Sequence, residues 1–138
     1  MAKILVVEDN PANMKLAVLL LQKAGYSVLS AVDAEAGLTL AQAEQPDLIL
    51  MDIQLPGMDG LVATALLKQN LATHTIPVIA LTALAMKGDE ERCLSAGCDG
   101  YIAKPLRYQI LLAEIKAQLA QRDSLYSSRE PNKEENPP

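Results

Sequence analysis

The chain has 138 residues, half of them apolar, and a formal net charge of −5. That length suits one domain with a hydrophobic core and is too short for two. A net negative charge with no basic stretch argues against nucleic acid or an anionic membrane as a partner, and no apolar run approaches the roughly 20 residues that span a bilayer.

There is no Trp and no Phe, so the core must be built from Leu, Ile, Val, Ala and Met, with four Tyr as the sole aromatics. The start of the chain lacks the layout of a signal peptide. Cys93 and Cys98 are too few for a secreted disulfide framework, and with His74 as the lone histidine they do not make a zinc set. Two free thiols in a reducing cytoplasm is the expectation.

The first apolar run, near 3–7 (Ile4-Leu5-Val6-Val7), reads as a strand buried on both faces and delivers Glu8 and Asp9 at its end. Asn10-Pro11 then offers an N-cap followed by proline at the first helical position. Leu16, Leu19, Leu20 and Lys23 mark the turns of a first helix, and Gly25 fits its stop. A weaker strand near 27–32 precedes a second helix that Asp33 can cap and that runs to about Glu44. The third strand, near 47–51, is followed by Asp52 and a Pro56-Gly57 turn. Asp59 can cap a third helix from Gly60 to about Asn70. Asp47, at the start of its strand, lies at the opposite rim and reads as structural, and His74 falls in a polar surface loop. A fourth strand near 76–81 leads to Thr82. A fourth helix follows over about Lys87–Ala96, with Asp89, Glu90 and Glu91 near its positive end and Gly97 at its stop. A fifth strand near 99–103 leads to Lys104-Pro105. The fifth helix, about Tyr108–Arg122, carries Ile110, Leu111, Ile115 and Leu119 at helical spacing.

Strands alternating with helices predict an α/β fold: a flavodoxin-like, doubly wound parallel sheet of five strands in the order 2-1-3-4-5, with the weaker second and fifth runs at its edges. The domain is expected to occupy 1–122. Residues 123–138, rich in Ser, Glu, Asn, Lys and Pro, read as a disordered polar tail.

In that order the odd-numbered strands and the fourth deliver Glu8, Asp9, Asp52, Thr82 and Lys104 to one rim, where such folds bind ligands. Carboxylates crowded together are tolerated when a cation sits among them or one keeps its proton. Asp9 and Asp52 are hard oxygen ligands, and Glu8 can hold metal-bound water, which suits Mg²⁺. A carboxylate can also act as nucleophile toward phosphorus and form an acyl phosphate, with Lys104 and the Thr82 hydroxyl holding phosphoryl oxygens.

The runs Val6-Val7-Glu8-Asp9-Asn10, Leu50-Met51-Asp52-Ile53-Gln54-Leu55-Pro56-Gly57-Met58-Asp59-Gly60, Ala80-Leu81-Thr82-Ala83 and Lys104-Pro105 resemble, in order and spacing, the receiver domain of bacterial two-component response regulators. The stretch from Thr82 to Arg92 further resembles DivK-type single-domain regulators. The resemblance covers about residues 3–121. It implies that Asp52 accepts a phosphoryl group from a phosphohistidine on a histidine kinase or histidine phosphotransferase. It also implies that Mg²⁺ is held by Asp9, Asp52 and the main-chain carbonyl of Gln54, with Glu8 completing the acidic pocket. Thr82 and Lys104 would contact the phosphate, Tyr101 would be the switch aromatic, and the Lys104-Pro105 bond would be cis. One departure is Arg107, where many members place a capping Ser, Thr or Asp.

A freestanding, non-enzymatic switch follows as the expectation: a cytoplasmic monomer or weak dimer whose output is binding a downstream protein through the face of the fourth helix, fifth strand and fifth helix. The alternatives are a pseudo-receiver working without phosphate, a hydrolase or nucleotide-binding enzyme, and an FMN protein of the same fold. No Gly-rich phosphate loop follows the first strand, and an acidic first loop repels a phosphate that lacks a metal. A start at Met1 two residues before the first strand fits a freestanding regulator better than a piece of a hybrid kinase.

Overall fold

A computed structural model describes residues 2–83 and 87–129. Its elements alternate along the chain: β1 (Lys3–Val7), α1 (Pro11–Lys23), β2 (Ser27–Ala31), α2 (Ala34–Glu44), β3 (Leu48–Asp52), α3 (Gly60–Gln69), β4 (Val78–Thr82), α4 (Lys87–Ala96), β5 (Gly100–Ala103) and α5 (Tyr108–Arg129). The five strands form one parallel sheet in the order β2-β1-β3-β4-β5, as expected, with the two weaker runs at its edges.

The continuous apolar strands have a simple cause: both faces of the sheet are covered. Successive side chains point to opposite faces. Leu5, Val7, Ile49, Met51, Val78 and Ala80 therefore pack with Ala34, Ala41, Ala63, Leu67 and Cys93 from α2, α3 and α4. The alternate residues Ile4, Val6, Leu48, Leu50, Ile79, Leu81 and Ile102 pack with Ala17 and Leu21 of α1 and Leu111 and Ile115 of α5. Each aliphatic side chain fully buried in either layer contributes about 1.5–3 kcal/mol. The two cysteines are buried within the first layer.

Helix starts follow the capping residues. Asn10 Oδ1 accepts from the Asn13 amide at 2.9 Å, Asp33 from Ala36 at 2.8 Å, and Asp59 Oδ1 from Leu61 and Val62 at 2.8 and 3.0 Å. Asp59 is thus committed to capping. α5 starts without a short polar cap: the Arg107 carbonyl simply accepts from the Leu111 amide at 2.9 Å. Asp47 is structural, accepting from the Lys3 amide at 2.7 Å and from Arg122 at 3.2 Å, which ties α5 to the lower rim of the sheet.

Several boundaries differ from expectation by a residue or more. Asp52 and Thr82 are the last residues of β3 and β4 and do not follow them, because the ladder continues past them through Ile53 N–H to Leu81 O at 3.1 Å. β4 begins at Val78, since Pro77 has no N–H to pair. α5 runs on to Arg129, into the segment expected to be tail: nothing between Asp123 and Arg129 breaks a helix, and the next proline is Pro131. The remainder of the expected tail, 130–138, lies outside the described residues, as do residues 84–86.

Candidate functional site

The site follows from strand register. Val7 pairs with Met51, so the next residues, Glu8 and Asp52, stand level at the carboxyl rim. Asp52 pairs with Leu81, so Thr82 lies one step beyond it. Thr82 pairs with Ala103, so Lys104 again lies one step beyond. The backbone holds this stagger: the Glu8 amide donates to Ala31 O at 3.0 Å and the Lys104 amide to Thr82 O at 2.7 Å. Glu8, Asp52 and Lys104 continue the alternation of Val6, Leu50 and Ile102, toward the α1–α5 side. Thr82 continues that of Ala80, toward the α4 side.

Glu8 and Asp52 are each only 2% exposed, while Asp9 is exposed. One carboxylate oxygen from each of the three lies within 4.8 Å of the others. The Lys104 ammonium bridges two of them, 2.9 Å from Glu8 Oε1 and 3.0 Å from Asp52 Oδ2. The remaining oxygens are also used: Glu8 Oε2 accepts from the Asn10 amide at 3.1 Å, and Asp52 Oδ1 from the Gln54 amide at 2.9 Å. Asp52 is therefore held from both sides, its rotation fixed by a backbone donor and an ammonium.

The electrostatics show the strain of this packing. Burial raises the Glu8 carboxyl above its ordinary range; Lys104 opposes that rise, and the nearby Asp52 adds to it. Burial works against the Lys104 charge, but its hydrogen bonds to Glu8 and Asp52 outweigh that and raise it above the usual lysine range. Three carboxylates face one ammonium, so with all ionised two negative charges remain uncompensated. A hard dication fits that excess and that donor set. Asp9 offers an exposed, negatively charged ligand at the mouth, and the carboxylate oxygens behind it match what Mg²⁺ prefers.

The sequence-derived residues thus converge, with two qualifications. Gln54 is exposed and contributes its amide to Asp52. Tyr101 is half-buried on β5, and its hydroxyl donates to Glu90 Oε1 on α4 at 3.3 Å. Three features went unread in the sequence. Lys104 serves both acids at once. Glu90 has a partner on β5. Gly60 is a steric requirement: a Cβ there would collide with the Asp52 carbonyl oxygen and crowd Ile53 Cα. The start of α3 is thereby pressed directly onto the backbone that carries Asp52. A glycine at the first position of a helix, straight after its cap, was the available signal. The cysteines are not candidates, since burial, reinforced by Cys93, pushes the Cys98 thiol up to about 12.

The comparisons with known proteins converge on one family. The profile of the response regulator receiver domain matches residues 4–116. The polar-differentiation response regulator DivK of Brucella anthropi is 47% identical over 116 residues, covering 84% of this chain and 94% of that protein. A putative response regulator from Chloroflexus aurantiacus superposes with a TM-score of 0.83 at 32% identity, over 86% of this chain and 98% of that one. The receiver domain of a sensor histidine kinase from Pseudomonas aeruginosa, which holds a magnesium ion in its active-site cleft, gives 0.81 at 37% identity over the same shares.

Two outcomes test this geometry. Gly60→Ala should cost about 1–3 kcal/mol by overpacking, read from urea denaturation, and should slow labelling of the protein by acetyl phosphate, because the Asp52 backbone must shift. Lys104→Met leaves buried acids without their cation and should cost roughly 3 kcal/mol at neutral pH in chelator. A carboxyl whose folded pKa is raised favours folding where it is protonated and loses that advantage as pH rises through the folded value. The Lys104→Met loss should therefore shrink as pH is lowered and Glu8 takes up a proton. A loss independent of pH would contradict the charge argument.

Proposed function

This chain belongs to the response regulator receiver domain family, and on that premise we propose that Asp52 accepts a phosphoryl group from a phosphohistidine on a histidine kinase or histidine phosphotransferase. The single observation that carries the assignment is the state of the Asp52 carboxylate. It is buried, fixed by the Gln54 amide and the Lys104 ammonium, and adjacent to an exposed acid at the pocket mouth. Such preorganisation lowers the cost of orienting a nucleophile.

In the reaction an Asp52 oxygen forms a bond to phosphorus as the P–N bond to the donor imidazole breaks, and the imidazole nitrogen keeps the electron pair. Lys104 then turns from Asp52 Oδ2 to a phosphoryl oxygen, and the Thr82 hydroxyl donates to another. Asp9, Asp52 and the Gln54 carbonyl would hold Mg²⁺, with Glu8 orienting its water; when bound, the ion neutralises charge on the transferring oxygens. The magnesium-bearing Pseudomonas relative supports this cofactor. Glu8, Asp9 and Lys104 assist transfer and a slow hydrolysis of the aspartyl phosphate, but turnover is not the product. The product is a change of shape.

That change runs through Thr82 and Tyr101. A phosphorylated side chain carries about 1.5–2 negative charges and strong acceptor oxygens. Drawing Thr82 toward it clears space beside β5 into which Tyr101 turns, remodelling the α4–β5–α5 face that a downstream protein reads. The receiver unit extends through at least the 4–116 match, and the segment after Arg122 is proposed to stand apart from the switch. Among the described residues no helix is long and apolar enough to cross a membrane. A cytoplasmic setting and a monomer or weak dimer fit a diffusible signalling protein.

Asp52→Asn should take up no label from acetyl phosphate or a phosphorylated histidine donor, and excess chelator should stop labelling of the unaltered protein. Labelling that survives both treatments would reject the assignment.

A further inference from the structure

We propose that Glu90 is a positioning residue that latches Tyr101 in its outward pose and so sets how readily the site takes a phosphoryl group. The inference rests on the phosphoacceptor reading above and adds to it a residue that lies outside the pocket.

The argument starts from the sheet. Tyr101 stands opposite Ala80, and Thr82 stands opposite Ala103. All four alternate to the same face. Thr82 and Tyr101 are thus diagonal neighbours on one face of adjacent strands. The two residues completing that rectangle are alanines, so the sheet places little bulk between the tyrosine ring and Thr82. The outward pose instead has an attractive cause. The Tyr101 hydroxyl donates to Glu90 Oε1 at 3.3 Å, while its ring rests on the layer shared with α4. The helix that carries Glu90 is anchored: Cys93, one helical turn further on, is fully buried and ties α4 to the core.

A tyrosine turning inward must break this bond. Any contact made only in the outward state lowers the population of the inward state. It must then, by linkage, weaken binding of whatever prefers the inward state, by the same factor. Glu90 is thus coupled to the phosphoryl pocket without touching it. The Glu90 charge also raises the Tyr101 phenol above its usual range, which favours the protonated hydroxyl that donates to it.

The test is a titration of the full chain with beryllofluoride, a tetrahedral phosphoryl stand-in, in saturating magnesium, followed by calorimetry. Glu90→Ala and Tyr101→Phe should each tighten binding about two- to tenfold, the net worth of one ordinary hydrogen bond. Glu90→Gln, which keeps an acceptor oxygen, should stay near the unaltered protein. The double variant Glu90→Ala/Tyr101→Phe should bind no tighter than either single one, because both remove the same contact. Single variants indistinguishable from the unaltered protein, or gains that add in the double variant, would overturn the latch. An unaltered protein that binds no beryllofluoride would overturn the phosphoacceptor reading and the latch with it.

Discussion

The ammonium of Lys104, set between the buried carboxylates of Glu8 and Asp52, is the interaction on which the rest of the site depends. Two acids at 2% exposure would not sit at neighbouring strand ends without it, since an uncompensated buried charge is among the costliest features a small domain can carry. Yet one cation does not balance three acids. Lys104 supplies enough charge to let the domain fold and leaves enough excess to attract a dication. It also makes bonds that can be exchanged for bonds to a phosphoryl group. Stability and function share the same atoms here, and a replacement that favoured one would harm the other.

The parallel sheet turns this local arrangement into a device with two sides. Strand alternation sends Glu8, Asp52 and Lys104 toward the α1–α5 layer, while Thr82 and Tyr101 point toward the α4 layer. Under the proposed function, charge would be deposited on one face and read on the other, with the end of β4 as the link. The link is short because Thr82 belongs to the strand next to Asp52, and its carbonyl accepts from the Lys104 amide. Rigidity elsewhere supports this. Caps fix the helix starts, Gly60 presses α3 onto the Asp52 backbone, and Asp47 pins α5 to the lower rim.

Much of this was legible in the residues themselves. Continuous aliphatic runs at Ile4–Val7 and Leu48–Met51, each bounded by acids and turn residues, read as central strands, and acids directly after them fall at the rim where such folds bind ligands. Asn10, Asp33 and Asp59 announced their helices by the same local chemistry they use in the structure. What escaped reading was pairwise and long-range. That Lys104 would touch Glu8, 96 positions away in sequence, depends on register across four strands, which no local pattern encodes. The Tyr101–Glu90 bond depends on how α4 lies against β5. The extent of α5 was misread for the opposite reason: a polar composition was taken as the end of structure, although Ser, Leu and Tyr at 124–128 are tolerable in a helix.

The central claim is that one carboxylate, at residue 52, carries the phosphoryl group. Borohydride reduces an acyl phosphate to the alcohol, so an aspartyl phosphate becomes homoserine. The most direct measurement is to expose the chain to acetyl phosphate and magnesium, reduce it, and locate the modified residue by peptide mass spectrometry. Homoserine at position 52 and at no other acid is the predicted result. Homoserine at Asp9 or another position, or none under conditions where label is incorporated, would contradict it.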